Sequence, residues 1–151
     1  MDAAGQGKTW LEVALNGPWT RQRQPRIPVT VKEIVEEGIA CVKAGAAIVH
    51  AHAYDEATGQ QTQSPDVYAS IIDGIRSKVD AIVYPTIPAV GLGAQPGELT
   101  AQQRFAHVEE LARRGLIEWA AVDPGSANFS FYDDLREDKP GFVYLNSEPM
   151  V

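Results

Sequence analysis

Hydrophobic and polar positions along the chain follow two alternating rhythms, one of period two and one of period 3.6. Over residues 10–16, Leu11, Val13 and Leu15 alternate with Trp10, Glu12 and Ala14, and the run stops at Asn16-Gly17-Pro18, where neither helix nor strand continues easily. A first strand is expected there, followed over 18–29 by a polar connection with three prolines and three arginines. Thr30-Val31-Lys32-Glu33 has the T-x-x-E form of a capping box. It opens a helix over 30–44 whose stripe is Val31, Ile34, Val35, Ile39 and Val42, and Gly45 can take the left-handed conformation that ends it. A second strand is expected over 46–52, with Ile48 and Val49 at its centre. Ser64-Pro65-Asp66 then provides an N-cap, a proline at the first helical position and an acid at the positive end of the dipole. The buried face of that second helix is Val67, Tyr68, Ile71, Ile72, Ile75 and Val79.

A third strand over 81–84 is closed by Pro85, and Thr100-Ala101-Gln102-Gln103 is a second capping box, opening a helix through Phe105, Val108 and Leu111 to Gly115. A fourth strand is expected over 117–122, broken by Asp123-Pro124-Gly125, and a short fifth over 142–145 after a charged turn at 133–139. Strands alternating with helices predict an α/β fold with a parallel sheet. A (β/α)8 TIM barrel takes about 250 residues, so this chain would supply about its first half. A small open doubly wound sheet has the same spacing, and spacing alone does not choose between them.

The chain has 151 residues, 44% of them hydrophobic and 22% charged, which fits a single domain or part of one. It has no long apolar run and no basic, apolar leader at Met1-Asp2, so neither a membrane span nor a secretory signal is expected. Thirteen Lys and Arg against twenty Asp and Glu, a net charge of −7, oppose the phosphate neutralisation that nucleic-acid binding needs. Cys41 is the only cysteine, so an internal disulfide and a thiolate metal cage are excluded and a reducing, cytoplasmic compartment is expected. Any metal must be held by histidines and carboxylates.

His50 and His52 are two apart on an expected strand, so both imidazoles leave one face, roughly 6.6–7 Å apart at Cα. That spacing lets two nitrogens converge on one metal, at the strand end where α/β folds place their sites. A catalytic zinc keeps three protein ligands, so the pair is one short. Glu12, deeper on the first strand, reads as a polar interior or edge residue, while Asp123 could reach the mouth or merely form a turn. Asp123-Pro124-Gly125-Ser126-Ala127-Asn128-Phe129 places a glycine, a hydroxyl and an amide at a strand end, suited to a carboxylate or carbonyl oxygen, and Thr86 ends the third strand.

Three other signals are discounted. Gly5-Gln6-Gly7-Lys8-Thr9 lacks phosphate-loop spacing and precedes a strand, and residues 1–9 read as a flexible N-terminus. His107, beside Glu109 and Glu110, reads as part of a solvated helix face, and Cys41 as a small packed side chain.

Several strings together resemble the beta-keto acid cleavage enzymes, the family of 3-keto-5-aminohexanoate cleavage enzyme. They are Ile27-Pro28-Val29-Thr30-Val31-Lys32-Glu33-Ile34, Lys43-Ala44-Gly45-Ala46-Ala47-Ile48-Val49-His50-Ala51-His52, the turn from Asp55 to Gly59, and Asp123-Pro124-Gly125-Ser126-Ala127-Asn128-Phe129. The resemblance runs over nearly the whole chain and implies the (β/α)8 barrel. It implies a divalent metal, zinc first, held by His50, His52 and a glutamate from a late strand. It also implies reaction of a beta-keto acid with acetyl-CoA to give acetoacetate and a new CoA thioester. Thr86 and Ser126 match substrate-contacting hydroxyl residues of the family, and Gly125 the adjoining backbone contact. Pro18-Trp19 stands where relatives often have a glutamate, and Thr86-Ile87-Pro88-Ala89 where they often have Gly-Gly, so the keto acid's tail would be held differently. Family members are about twice as long, which puts the late glutamate and the other catalytic groups in a second half that this chain does not contain.

The chain is therefore expected to be one partial domain, 1–151, holding strands one to four or five of a TIM barrel. Its small-molecule partners would be a beta-keto acid and acetyl-CoA, and its open sheet edges would make it a homo-oligomer or pair it with a separate second half. The rival readings are an amidohydrolase-like metal hydrolase, since H-x-H at a strand end suits that chemistry too, and a truncated barrel fragment without catalysis.

Overall fold

A computed structural model of the chain describes residues 8–18, 21, 24–87, 100–123, 125–129, 136 and 142–144. Residues 1–7 of the expected flexible N-terminus, Trp19, Pro88, Ala89, Pro124, Leu145 and all of the charged turn except Arg136 lie outside that set.

Among the described residues, β1 (Glu12–Ala14), β2 (Ile48–Ala51) and β3 (Ile82–Pro85) form one parallel sheet in the order β1-β2-β3. The register sets Ala14 beside His50 and His50 beside Tyr84. Helices α1 (Val31–Lys43), α2 (Pro65–Arg76) and α3 (Ala101–Arg113) follow the three strands in turn. Both predicted capping boxes form. The Thr30 hydroxyl accepts from Glu33 N–H while Glu33 accepts from Thr30 N–H, and Thr100 and Gln103 do the same for α3. At Ser64 the cap is positional only, with no side-chain hydrogen bond, and Pro65 begins α2.

All three helices bury their stripes against one face of the sheet. Ile34 of α1, Ile71, Ile72 and Ile75 of α2 and Leu111 of α3 share a core with Val49, Ala51 and Val83, and Val13 and Leu15 pack onto it. α1 and α2 approach closely enough that glycines are needed at the contact. A Cβ on Gly38 would stand 2.6 Å from Ile75 Cδ1, and one on Gly74 would stand 2.7 Å from Val35 Cγ2.

One expected element is absent. Residues 117–122 form no strand. Side chains hold the segment instead: Arg76 Nη1 donates to Leu116 O just before it at 2.9 Å, the same guanidinium pairs with Glu118, and the Trp119 ring stacks on Trp10 with centroids 5.8 Å apart. The fourth strand comes later, as β4 (Ala127–Phe129), antiparallel to β5 (Phe142–Tyr144) and separate from the parallel sheet. No helix among the described residues is long and apolar enough to cross a membrane.

Candidate metal and substrate site

Alternation along the strands decides which side chains are free for chemistry. With Val13, Val49, Ala51 and Val83 turned to the helices, the opposite face receives Glu12, His50 and Tyr84. The His50 and His52 rings lie with centroids 5.3 Å apart, nearly perpendicular at 84°. Tyr84 tilts over His50 at 4.9 Å, and its hydroxyl donates across β2 to the Glu12 carboxylate on β1, the opposite edge of the sheet. Glu12 thus supports the tyrosine that lies against the first histidine.

Asn16, which the sequence marks only as a strand stop, holds His52 in place. Its Oδ1 accepts from His52 N–H at 2.8 Å, and its Nδ2 donates to His52 O and to Pro28 O, each at 3.0 Å. The Asp55 turn flanks the same histidine. Asp55 Oδ1 accepts from the N–H groups of Ala57 and Thr58 at 2.9 Å, Gly59 closes the turn at φ 67°, and the chain returns through a bridge between Tyr54 and Gln61. Gln61 donates to Gly17 O at 3.1 Å and lies beside the His52 ring.

Both imidazoles are kept neutral. Burial depresses His52 to about 4, opposed by the Gln61 amide and reinforced by His50. Burial also depresses His50, partly offset by the charges of Glu12 and Asp123. In each ring Nδ1 is shielded from solvent and has no hydrogen-bond partner. Two half-buried, neutral imidazoles whose Nδ1 atoms are shielded and unsatisfied fit two of the three protein ligands of a catalytic zinc. No group of three metal-ligating side chains gathers among the described residues.

Thr86 directly follows β3, level with His52, and is 7% exposed. Its N–H donates to Ala51 O at 3.0 Å and its hydroxyl to Ile87 O at 3.2 Å. His107 corrects the sequence reading. It does not face solvent but is 3% exposed, with Nε2 donating to Thr86 O at 2.8 Å and its ring stacked 5.4 Å from Tyr68. The reason is helical spacing: Arg104, His107 and Leu111 form the buried stripe of α3, while Glu109 points to solvent. A polar residue in register with Leu111 was the signal available in the sequence. Cys41 is half-buried on α1.

Asp123 lies close enough to favour protonation of His50 and to oppose ionisation of Tyr84. Its Oδ2 accepts from the Tyr144 hydroxyl at 2.7 Å, and Arg104 Nη2 donates to that hydroxyl at 3.2 Å, so a buried cation on α3 anchors the acid through β5. Gly125, at φ 85°, and Ser126 are exposed on the turn into β4.

Residues 8–151 match the family model for beta-keto acid cleavage enzyme. The chain is 31% identical to a 3-dehydrocarnitine:acetyl-CoA trimethylamine transferase of Rhizobium meliloti, over 82% of this chain and 45% of that protein. It is 32% identical to a 3,5-dioxohexanoate:acetyl-CoA acetone transferase of Paraburkholderia graminis, over 80% of this chain and 36% of that one. It is 30% identical to a 3-keto-5-aminohexanoate cleavage enzyme of Acetoanaerobium sticklandii, over 87% and 41%. The chain thus spans less than half the length of these relatives.

Proposed function

Because this chain belongs to the beta-keto acid cleavage enzyme family, we propose that it furnishes the first part of a site that reacts a beta-keto acid with acetyl-CoA, giving acetoacetate and a new CoA thioester. The observation that carries this reading is the pair of buried, unsatisfied Nδ1 atoms of His50 and His52 on one strand face. These two residues would hold a divalent metal, zinc first, with the third ligand supplied from outside the described residues. When bound, zinc supplies a Lewis acid that polarises a carbonyl oxygen.

The chain's own groups do the orienting. Asn16 fixes the main chain of His52 from both its N–H and its C=O, and the Glu12–Tyr84 hydrogen bond supports the ring against His50. The Thr86 hydroxyl, buried at the end of β3, can exchange its contact with Ile87 O for a substrate oxygen. Gly125 N–H and the Ser126 hydroxyl are donors of the kind that hold a carboxylate. Neutral imidazoles are ready to bind a cation without first losing a proton.

For the architecture, we read the first half of a (β/α)8 barrel. Consecutive strands are neighbours, and α1 and α2 pack against each other on one face, whereas a doubly wound sheet puts helices on both. Trp10, Leu11, Trp119 and Val122 are exposed, which favours pairing with a second copy or a complementary half. A cytoplasmic enzyme fits the lone half-buried Cys41.

The test compares zinc content after equilibrium dialysis in the parent and in His50→Ala, alongside acetoacetate formation from beta-keto acids and acetyl-CoA. Retained zinc in the parent and its loss in the variant is the expected outcome. Equal zinc in both removes the site.

A further inference from the structure

The rungs between β2 and β3 follow a regular order that stops one step short of the site. Ile82 N–H donates to Ala47 O at 3.1 Å near the start, and Thr86 N–H donates to Ala51 O at 3.0 Å near the end. In a parallel ladder the next bond would run from Ala53 N–H to Thr86 O. Neither group makes it. Ala53 N–H donates instead to the Tyr68 hydroxyl at 3.2 Å, and Thr86 O accepts from His107 Nε2 at 2.8 Å. Tyr68 comes from α2 and His107 from α3, and their rings stack with centroids 5.4 Å apart and planes 27° apart. Both side chains are almost fully buried.

A carbonyl oxygen can only accept, so Nε2 must carry a proton, and in the neutral ring Nδ1 is then bare. That matches the surroundings, since His107 Nδ1 is buried and has no partner to receive a proton. The pair is therefore a fixed donor and acceptor set that satisfies both halves of a missing rung at no loss of hydrogen bonds. The two main-chain groups it engages belong to Thr86 and to the residue after His52.

We propose that Tyr68 and His107 are positioning residues, a two-ring wedge that replaces the last rung between β2 and β3 and so sets the separation of His52 and Thr86 at the mouth of the site. The proposal rests on the reading that those two residues line it. Without the wedge the freed Ala53 N–H and Thr86 O would bond to each other, and the strand ends would close.

The test uses the double variant Tyr68→Phe with His107→Leu, and His107→Gln as the conservative replacement that keeps an N–H donor. The first readout is the coupling across the hydrogen bond between Ala53 nitrogen and Thr86 carbonyl carbon by NMR. It is expected to be absent in the parent and in His107→Gln and present in the double variant. The second is zinc affinity by calorimetry, expected to fall about tenfold in the double variant and to be largely kept in His107→Gln. A coupling already present in the parent, or strand ends that stay apart in a folded double variant, overturns the wedge. A rung that closes while zinc affinity is unchanged overturns its link to the site. A parent that binds no zinc counts against the metal reading alone, because the coupling still reports on the wedge. Should the double variant not fold, the parent's His107 ring decides: an Nε2–H tautomer is expected, and an Nδ1–H or doubly protonated ring refutes the proposal.

Discussion

Replacing Asn16 with alanine should weaken the fold and the site together. The side chain makes three hydrogen bonds, at 2.8 Å from His52 N–H and at 3.0 Å to His52 O and Pro28 O. It therefore ties the end of the first strand to the end of the second and to the connection before α1. Each such bond contributes about 0.5–1.5 kcal/mol net, so the full set is worth about 1.5–4.5 kcal/mol. Asn16 is only half-buried, so water can reach some of the freed groups, and the lower part of that range, about 2 kcal/mol, is the expected loss. With a urea slope of about 1–3 kcal/mol per molar, the unfolding midpoint should fall by about 1 M with the slope unchanged. Asn16→Asp is the sharper control. It keeps the acceptor for His52 N–H but turns two donors into a carboxylate oxygen facing two carbonyls, so it should be at least as destabilising as alanine at neutral pH and should recover as the acid is protonated. A midpoint shift below about 0.3 M in Asn16→Ala, or an Asn16→Asp variant as stable as the parent, would refute the role given to these bonds.

The helix contacts and caps give further tests. Gly74→Ala should destabilise by about 1 kcal/mol despite alanine's better helix propensity. The new Cβ would stand 2.7 Å from Val35 Cγ2 and 3.1 Å from Cγ1, and a valine on a helix has no other comfortable rotamer; thermal unfolding that shows a gain instead rejects the clash. Thr30→Ala should cost about 1 kcal/mol through loss of the α1 cap while leaving zinc binding intact, as read by denaturation and calorimetry on the same sample. The N–H groups of Thr30 and Val29, with Arg21, hold Glu33 down to about 2 against an ordinary 4.5. A depressed carboxylate stabilises above its unfolded value, so this contribution is complete above pH 4.5 and is lost as pH falls through about 2. The Glu33 side chain is 41% exposed, so solvent screening should reduce it to about 1 kcal/mol. Glu33→Gln should flatten the acid limb of stability over that window, and an unchanged limb rejects the assignment.

What could be read from the sequence was local. T-x-x-E at Thr30 and T-x-x-Q at Thr100 each place a hydroxyl and a carbonyl or carboxylate oxygen within one turn of the groups they cap, so each box forms where its residues say. His50 and His52 share a face because the strand period is two, which needs no knowledge of the neighbours. The failures are long-range. Residues 117–122 have the apolar content of a strand, but the contacts they make are with side chains distant in sequence: Arg76 pairs with Glu118, forty-two residues on, and the Trp10 ring stacks on Trp119. Asn16 meets His52 across 36 residues, a partnership that Asn-Gly-Pro conceals because the same triplet is also a sufficient strand stop.

His107 shows why proximity in sequence misleads about burial. Glu109 and Glu110 beside it suggested a wet surface, yet successive residues on a helix lie about 100° apart, so Glu109, two positions on, turns to solvent while Glu110, three on, only borders the buried stripe, half-buried in its ion pairs with Arg113 and Arg114. The residues that do are Arg104 and Leu111, and both are buried. A buried histidine needs a partner for its N–H, and a carbonyl at the splayed end of a parallel strand needs a donor the ladder no longer gives. Each defect is the remedy for the other. The two requirements arise on elements twenty-one residues apart and meet behind Thr86, so the polar stripe of α3 belongs to the shape of the site and not to the surface of the protein.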